Sequence, residues 1–403
     1  MNEAYIIDAI RTPIGKYCGS LSTIRVDDLA ALTIKELLKR NKTVPLDAIN
    51  DVIFGCANQA GEDNRNIARM ALLLAGLPVT VPGETVNRLC ASGLSSVVQA
   101  SRAIRLQEAH LIIAGGAEHM TRAPFVLAKS STAFARQSEM YDTSIGWRFS
   151  NPKLAELHGV EGMGKTAENL AEKYSISRED QDAFAHHSQM KATTALEKKR
   201  LQQEVIPVSI PQRKADPIIF DCDEFIKPQT TLEKLGKLRP AFRKDGKGSV
   251  TAGNASGIND GACSILIASQ QAVEKYSLSA KAKFVASAVV GVEPSFMGIG
   301  PVTAVQAVLK KSGLTLEEID LIELNEAFAV QSIACLRELG LKDDDPRVNP
   351  NGGAIAIGHP LGMSGARLVQ TAMLELQQTQ KKYALCTMCV GVGQGMAAII
   401  ERI

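Results

Sequence analysis

This 403-residue sequence has no apolar run approaching the roughly 18 residues that a membrane-crossing helix requires. Its opening, MNEAYIIDAIRTP, has no basic stretch leading into an apolar one, so no secretory leader is expected. The closing ERI is not a peroxisomal address, which leaves the cytoplasm as the expected location. An excess of one charge is also lacking. The 45 Lys and Arg against 43 Asp and Glu leave +2, too weak a field to recruit nucleic acid or an acidic membrane. A local basic patch for a phosphorylated ligand remains allowed. Eight cysteines in such a length are too few for a disulfide scaffold. Most free cysteines are small buried hydrophobes, so a reactive one must be argued from its surroundings.

What is present is ordinary in bulk: 45% hydrophobic and 22% charged residues. At about 150 residues per domain, the length predicts two or three domains. Ala4–Ile10, Ile49–Phe54 and Ala109–Ala114 read as strands, the last ending in Gly115 and Gly116. Asp27–Lys39 and Asn66–Ala75 read as helices, and the alternation predicts α/β layers. From about Arg122 to Gly248 the chain turns polar and irregular, with a solvated helix expected over Asn169–Lys199. The α/β pattern resumes near Ser249. LDAINDVIFGCANQA, from Leu46, is echoed by LEEIDLIELNEAFAV, from Leu316, and Val86-Asn87 by Val348-Asn349. LIIAGGAEHM is echoed more loosely by ALCTMCVGVGQGM. The echo suggests a duplicated unit related by a pseudo-two-fold, with a site drawing on both halves.

Five segments stand out for chemistry. In VNRLCASGLSSVVQASRAIR, Leu94, Val97, Val98 and Ile104 share a helical face, which puts Cys90 at the helix start. There the helix dipole favours thiolate and lowers a thiol's pKa; a buried structural cysteine is the equal alternative. In NPNGGAIAIGHPLGMSGAR, His359 sits among glycines that let other backbone approach, and histidine is the usual base for a thiol near neutral pH. CTMC holds Cys386 and Cys389 in a C-x-x-C spacing, but on a strand an odd offset points them to opposite faces. A redox pair is therefore not expected. Nor is a metal, for want of a second ligand pair. Cys389, before Gly391 and Gly393, reads as a second reactive thiol. In ELNEAFA, Asn325 ends an apolar strand, where it would hold a water, donate to an oxyanion or cap a helix. Around Ser256, GNASG forms a small-residue loop suited to a long thin ligand arm, or simply a turn. Gly159 to Thr166 fits the phosphate-loop pattern with Lys165, but FSNPKLAELH before it is polar and holds Pro152 where a buried strand is required.

Together VNRLCASG, GNASGINDGA, NEAFA, NPNGGAIAIGHPLGMSGAR and CVGVGQG resemble the thiolase family, in its order and across essentially the whole chain. The resemblance implies a thiolase-like α/β fold: two duplicated halves in a layered αβαβα arrangement with an inserted loop domain. The halves would be residues 1–121, completed by 249–273, and 274–403, with the loop domain at 122–248. It implies acyl transfer between CoA thioesters and a homotetramer or homodimer. Coenzyme A and acetyl-CoA would be substrates, with no permanently bound cofactor. Cys90 would be the nucleophile, His359 its base, and Cys389 the acid/base at the α-carbon. Asn325 would hold a water beside the enolate oxygen, and the N–H groups of Cys90 and Gly391 would face the tetrahedral oxyanion. Ser256 would touch the pantetheine arm, Lys227 the nucleotide end (with Arg239 and Arg243 nearby), and Met163 and Phe328 the acyl-CoA.

Within the family, TPIGKYCGSL, GCANQAGEDNRN, DTSIGWRFSNPKL and IPQRKAD resemble the β-ketoadipyl-CoA thiolase branch, which would cleave 3-oxoadipyl-CoA to succinyl-CoA and acetyl-CoA. Acetoacetyl-CoA thiolases carry His-Met-Gly where this chain has Gly162-Met163-Gly164, which leaves room for a longer acyl chain. Acetoacetyl-CoA and fatty 3-ketoacyl-CoA thiolases are the alternatives within the family. A ketoacyl synthase would need one cysteine and two histidines, and the Cys389 motif opposes it.

Overall fold

The computed structural model describes residues 2–403. Its main sheet is built from β1 (Ala4–Arg11), β2 (Asp51–Gly55), β3 (Gly83–Val86), β4 (Leu111–His119), β5 (Asn259–Ser269), β6 (Ala282–Gly291), β7 (Leu321–Leu324), β8 (Tyr383–Val390) and β9 (Gln394–Arg402). They lie in the order β7-β8-β9-β6-β1-β5-β4-β2-β3, with Gly15–Lys16 paired to β5.

This order contains a repeat. Outward from the joint, β1-β5-β4-β2 on one side matches β6-β9-β8-β7 on the other, with two antiparallel pairings and then a parallel one in each. The joint itself is narrow, Tyr5 with Lys283 and Ile6 with Ala282. The sequence echo falls on equivalent strands: β2 lies within the Leu46 segment and β7 within the Leu316 segment. Val348 bridges Ile322 in parallel, as β3 pairs β2. β8 and β9 form a hairpin, whereas their counterparts β4 and β5 are separated by residues 120–258.

Each half buries both faces of its strands, which explains the near-continuous apolar runs. On β4, Leu111 and Ile113 face one core while Ile112 and Ala114 face another. The first core contains α1 (Val26–Arg40) and α2 (Ile67–Leu74). The second packs strands of both halves around α3 (Ser92–Arg105) and α8 (Leu361–Thr379). The outer face of the second half carries α6 (Gly300–Ser312) and α7 (Ala329–Glu338), joined by α4 (Met163–Lys173) and α5 (Arg178–Glu197) from the long connection. The layers therefore run helix, sheet, helix, sheet, helix, the αβαβα arrangement expected from the resemblance.

Two expectations need correction. The strand expected to stop at Gly115 and Gly116 runs through both to His119. These glycines admit close neighbours: a Cβ at Gly115 would stand 2.1 Å from the Cys263 carbonyl oxygen, and one at Gly116 would stand 2.0 Å from that of Gly362. The solvated helix expected over Asn169–Lys199 is two helices, α4 and α5, and α5 is not solvated. Its Asp182, Ser188 and Gln189 are buried, with partners supplied from far along the chain. Ser188 Oγ donates to Glu326 Oε2 at 2.6 Å, and Asn254 Nδ2 donates to Asp182 Oδ1 at 2.9 Å. Buried polar groups paired this way read as solvated in the sequence because their partners lie far along the chain.

Candidate active site

Cys90 lies in a single helical turn, Leu89–Ala91, directly before α3. Leu89 is left-handed at φ 46°, a conformation costly for a branched side chain, and it turns the Cys90 thiol out of the strand-to-helix corner. Across from it, Val392 is also left-handed, at φ 61°, in the turn joining β8 to β9. That turn places the Gly391 N–H where, with the N–H of Cys90 itself, it favours the thiolate form of Cys90. Two strained residues thus flank the donor pair.

The thiol is half-buried, but burial pushes its pKa up to about 11, against the lowering by its two N–H donors. The expected lowering by the helix dipole is therefore corrected. Cys90 precedes the helix by a turn, and loss of water outweighs the donors that face it. The resting nucleophile is a thiol.

His359 enters from the loop before α8. Gly358, at φ 110°, lets the chain turn against Asn259, whose Oδ1 accepts the His359 backbone N–H at 3.0 Å. The imidazole Nδ1 lies 2.6 Å from Ser364 Oγ, and that hydroxyl donates to the Pro360 carbonyl at 2.7 Å. With the serine proton committed, Nδ1–H is the donor to Oγ, and Nε2 is the unprotonated nitrogen. Asn325 Nδ2 donates to that Nε2 at 3.3 Å, while Asn325 Oδ1 is buried without a protein partner. Asn325 caps no helix, since α7 begins at Ala329 with Phe328 as its cap. Burial, reinforced by Arg367, holds the His359 pKa down to about 3. The imidazole is neutral, and a neutral imidazole is the form that accepts a proton.

Cys389 is 1% exposed near the end of β8, its thiol pushed up by burial and then by the nearness of Cys90. Cys386 packs on the α3/α8 side of the sheet and Cys389 on the α6/α7 side. The C-x-x-C pair is therefore split between faces, as strand alternation requires. Close backbone contact joins the two active-site helices: a Cβ at Gly93 would lie 2.5 Å from the Gly362 carbonyl oxygen, and one at Gly365 would lie 2.3 Å from the Leu94 nitrogen.

Cys90 opens into a cavity of about 410 Å³, also lined by Met163 and Gly391. A Cβ at Gly391 would meet Leu89 at 3.1 Å and the Met163 sulfur at 3.7 Å, which places that thioether over the donor pair. Lys227 lies elsewhere, in a separate cavity of about 390 Å³ with Lys234 and Gly253. Ser256 donates its N–H to the Ala327 carbonyl at 3.0 Å, and the adjacent Ala255 bridges Phe328, tying the small-residue loop to the Asn325 segment. Phe328 packs edge-on against Phe242. Arg243 is held by Asp245 and Glu172 at 2.8 and 2.9 Å, so its charge is already paired. The phosphate-loop pattern follows a helix, Pro152–His158, not a strand.

Three residues of this site went unread in the sequence. Ser364 lies inside GHPLGMSGAR, five positions after the histidine it orients. Glu118, in LIIAGGAEHM, accepts N–H bonds from Ala57, Asn58 and Gly362 at 2.9, 3.1 and 2.8 Å, and burial raises its pKa to about 7. Those bonds hold the cavity floor to the start of α8. Cys56 and Asp63 approach Glu118 closely enough to share an ion, but the carboxylate oxygens there already accept backbone N–H groups. The third, Arg148, lines the cavity from DTSIGWRF.

The chain matches the family models for the thiolase N-terminal domain over residues 4–271 and the thiolase C-terminal domain over residues 278–402. It is 58% identical to a beta-ketoadipyl-CoA thiolase of Acinetobacter baylyi over 403 residues, covering 100% of both chains. It is 56% identical to a 3-oxoadipyl-CoA/3-oxo-5,6-dehydrosuberyl-CoA thiolase of Escherichia coli, again over 100% of both. Among solved structures, the acetyl-CoA acetyltransferase of Bacillus anthracis superposes with a TM-score of 0.93 at 37% identity, covering 100% of this chain and 99% of that one. Domain models spanning nearly the whole length, relatives matched end to end and a shared fold agree: the chain belongs to the thiolase family and is an acyltransferase acting on CoA thioesters.

Proposed function

We propose that this thiolase cleaves 3-oxoadipyl-CoA with free CoA, giving succinyl-CoA and acetyl-CoA, and that Cys90 carries the succinyl group between the two half-reactions. The observation that carries the reading is the Cys90 thiol, open to a cavity of about 410 Å³ that Gly391 also lines, with the N–H groups of Cys90 and Gly391 favouring its thiolate form. The relatives at 58% and 56% identity, a beta-ketoadipyl-CoA thiolase and a 3-oxoadipyl-CoA/3-oxo-5,6-dehydrosuberyl-CoA thiolase, support the diacid substrate.

The roles follow from the geometry. Cys90 Sγ attacks C3 of the substrate as its proton moves to the unprotonated Nε2 of His359. The C2–C3 bond then breaks, and the electron pair goes to the acetyl-CoA fragment. Its enolate oxygen is stabilised by His359 and by a water that Asn325 holds, and its carbon takes a proton from Cys389. The N–H groups of Cys90 and Gly391 face the tetrahedral oxygen, the arrangement that contributes most to acyl transfer. CoA thiol then gives its proton to the Cys389 thiolate and attacks succinyl-Cys90, and the Cys90 sulfur leaves with the proton held on His359, releasing succinyl-CoA. Splitting the reaction through an acyl-enzyme replaces one hard step by two easier ones. Ser256 and Phe328 serve the pantetheine arm in this reading, Lys227 the nucleotide, and Met163 the acyl chain.

Three further parts belong to the proposal. The chain divides at 1–121 with 249–273, 122–248 and 274–403, supported by the matched strand orders. It assembles as a homotetramer or homodimer, supported by the exposed Phe125, Leu127, Phe134 and Met140 on and around one hairpin. Its reaction belongs to the cytoplasm in this reading, in keeping with a freely diffusing co-substrate, CoA.

The test compares kcat/KM for 3-oxoadipyl-CoA, acetoacetyl-CoA and a medium-chain 3-oxoacyl-CoA. Preference for the first is expected. Preference for either of the others keeps the thiolase and discards the diacid.

A further inference from the structure

In the reading above, the acyl group left on Cys90 carries an ionised carboxylate at its far end. An anion entering a half-closed cavity sheds water, and something must replace those bonds. Among the residues lining the Cys90 cavity, Arg148 is the one cation and Glu118 the one acid. Glu118 is turned to the backbone donors of Ala57, Asn58 and Gly362.

Arg148 is the unusual member. It is half-buried, and among the described residues no carboxylate lies within ion-pair distance of it, whereas nearby Arg122 pairs with Glu62. Its Nη2 donates to the Asn58 carbonyl at 2.9 Å and reaches Asn58 Oδ1 at 3.5 Å. Among the described residues, no acceptor is bonded by Nε or Nη1. A guanidinium is thus tethered by one nitrogen in the cavity wall, with its charge unbalanced and further donors open. A planar fork of this kind matches a carboxylate through two N–H bonds, which a lysine cannot reproduce. Trp147, Ile145 and Met163 supply apolar wall for the methylenes between the carboxylate and the thioester.

We propose that Arg148 receives the distal carboxylate of the acyl group carried by Cys90 and so selects diacid over monoacid thioesters. The inference rests on the substrate reading above. The carboxylate stays ionised and the Arg148 contact moves no proton. The contact is present before and after the C2–C3 bond breaks, so its loss falls mainly on KM.

The experiment measures kcat/KM of wild type, R148Q and R148K on 3-oxoadipyl-CoA and on 3-oxohexanoyl-CoA, which has a methyl group in place of the carboxylate. Wild type is expected to prefer the diacid. R148Q should shrink that preference about 100-fold, with R148K intermediate, as expected for loss of hydrogen bonds to a charged group. A preference unchanged in both variants, or a parallel loss on both substrates, overturns the role of Arg148. Should R148Q fold poorly, the ratio in R148K decides. Wild type favouring 3-oxohexanoyl-CoA instead retires the diacid reading and the Arg148 proposal with it, and it is seen before any variant is made.

Discussion

Ser364 Oγ stands 2.6 Å from Nδ1 of His359 while giving its own proton to the Pro360 carbonyl. One hydroxyl thereby decides which imidazole nitrogen is unprotonated. In Ser364→Ala, the buried Nδ1–H loses its acceptor, at about 1–3 kcal/mol, and the tautomer that presents an unprotonated Nε2 is no longer favoured. The expected result is kcat/KM reduced about tenfold to a hundredfold. Ser364→Thr, which keeps the hydroxyl, should restore part of it. Steady-state kinetics of both variants check this; an Ala variant with unaltered kcat/KM would refute the assignment.

The two reactive thiols should separate under mutation. Cys90→Ala is expected to form no acyl-enzyme and to lose turnover. Cys389→Ala is expected to acylate from a simple acyl-CoA but to fail at cleaving a 3-oxoacyl-CoA. Intact-protein mass spectrometry after mixing with acyl-CoA reads the first step directly. Failure of Cys389→Ala to acylate would contradict the division of roles.

Glu323 gives a pH dependence. Burial raises its pKa to about 8, despite Arg367 at 3.3 Å, and its Oε1 has no protein partner. Its folded pKa lies above its unfolded one, so the native state holds the extra proton between them. The stability it contributes is full below about pH 4.5 and fades as pH rises through about 8. Glu323→Gln cannot lose that proton. Melting temperatures across pH 5 to 9 should therefore fall less for the variant on the alkaline side. Parallel curves would mean that Glu323 is already ionised in the native protein.

Arg11 on β1 is fully buried and holds the long connection in place. It donates to Asp223 at 2.6 and 2.8 Å and to Glu204 at 3.0 Å. Asp223→Ala leaves a buried guanidinium short of one counter-charge, a loss that typically costs about 3–5 kcal/mol. Urea unfolding should show a lower midpoint of that order, and an unchanged midpoint would show the contact to be replaceable.

Elements whose chemistry is local were legible in the sequence. The strand at Ala4 and the helix at Asp27 came from runs and spacing, and the echo between the Leu46 and Leu316 segments fell on paired strands. Cys90, His359 and Cys389 stood out because small residues surround them, and Asn325 because it ends an apolar strand. The unread parts depend on distant partners. Helix α5 looks solvated until Glu326 and Asn254 are placed beside it. Ser364 acquires a role only once α8 aims it back at His359. Arg148 becomes notable only when no acid is found near it, and no sequence pattern states that. Lys227 was expected at the nucleotide end of the ligand, and the fold sets it in a second cavity apart from Cys90.

The unequal connections between matched strands have a consequence for how the chain is made. β8 and β9 meet across a short turn, so the second half closes its central pair as soon as both strands exist. β4 must wait for residues 120–258 to be synthesised before β5 arrives between it and β1. Until then the first half shows unpaired strand edges and an open apolar face at the ribosome. Closing a loop of that length costs little extra free energy but takes time. The vulnerable interval for aggregation therefore falls before Ser269 emerges, and α5 and its neighbours emerge ahead of the surfaces they will later cover.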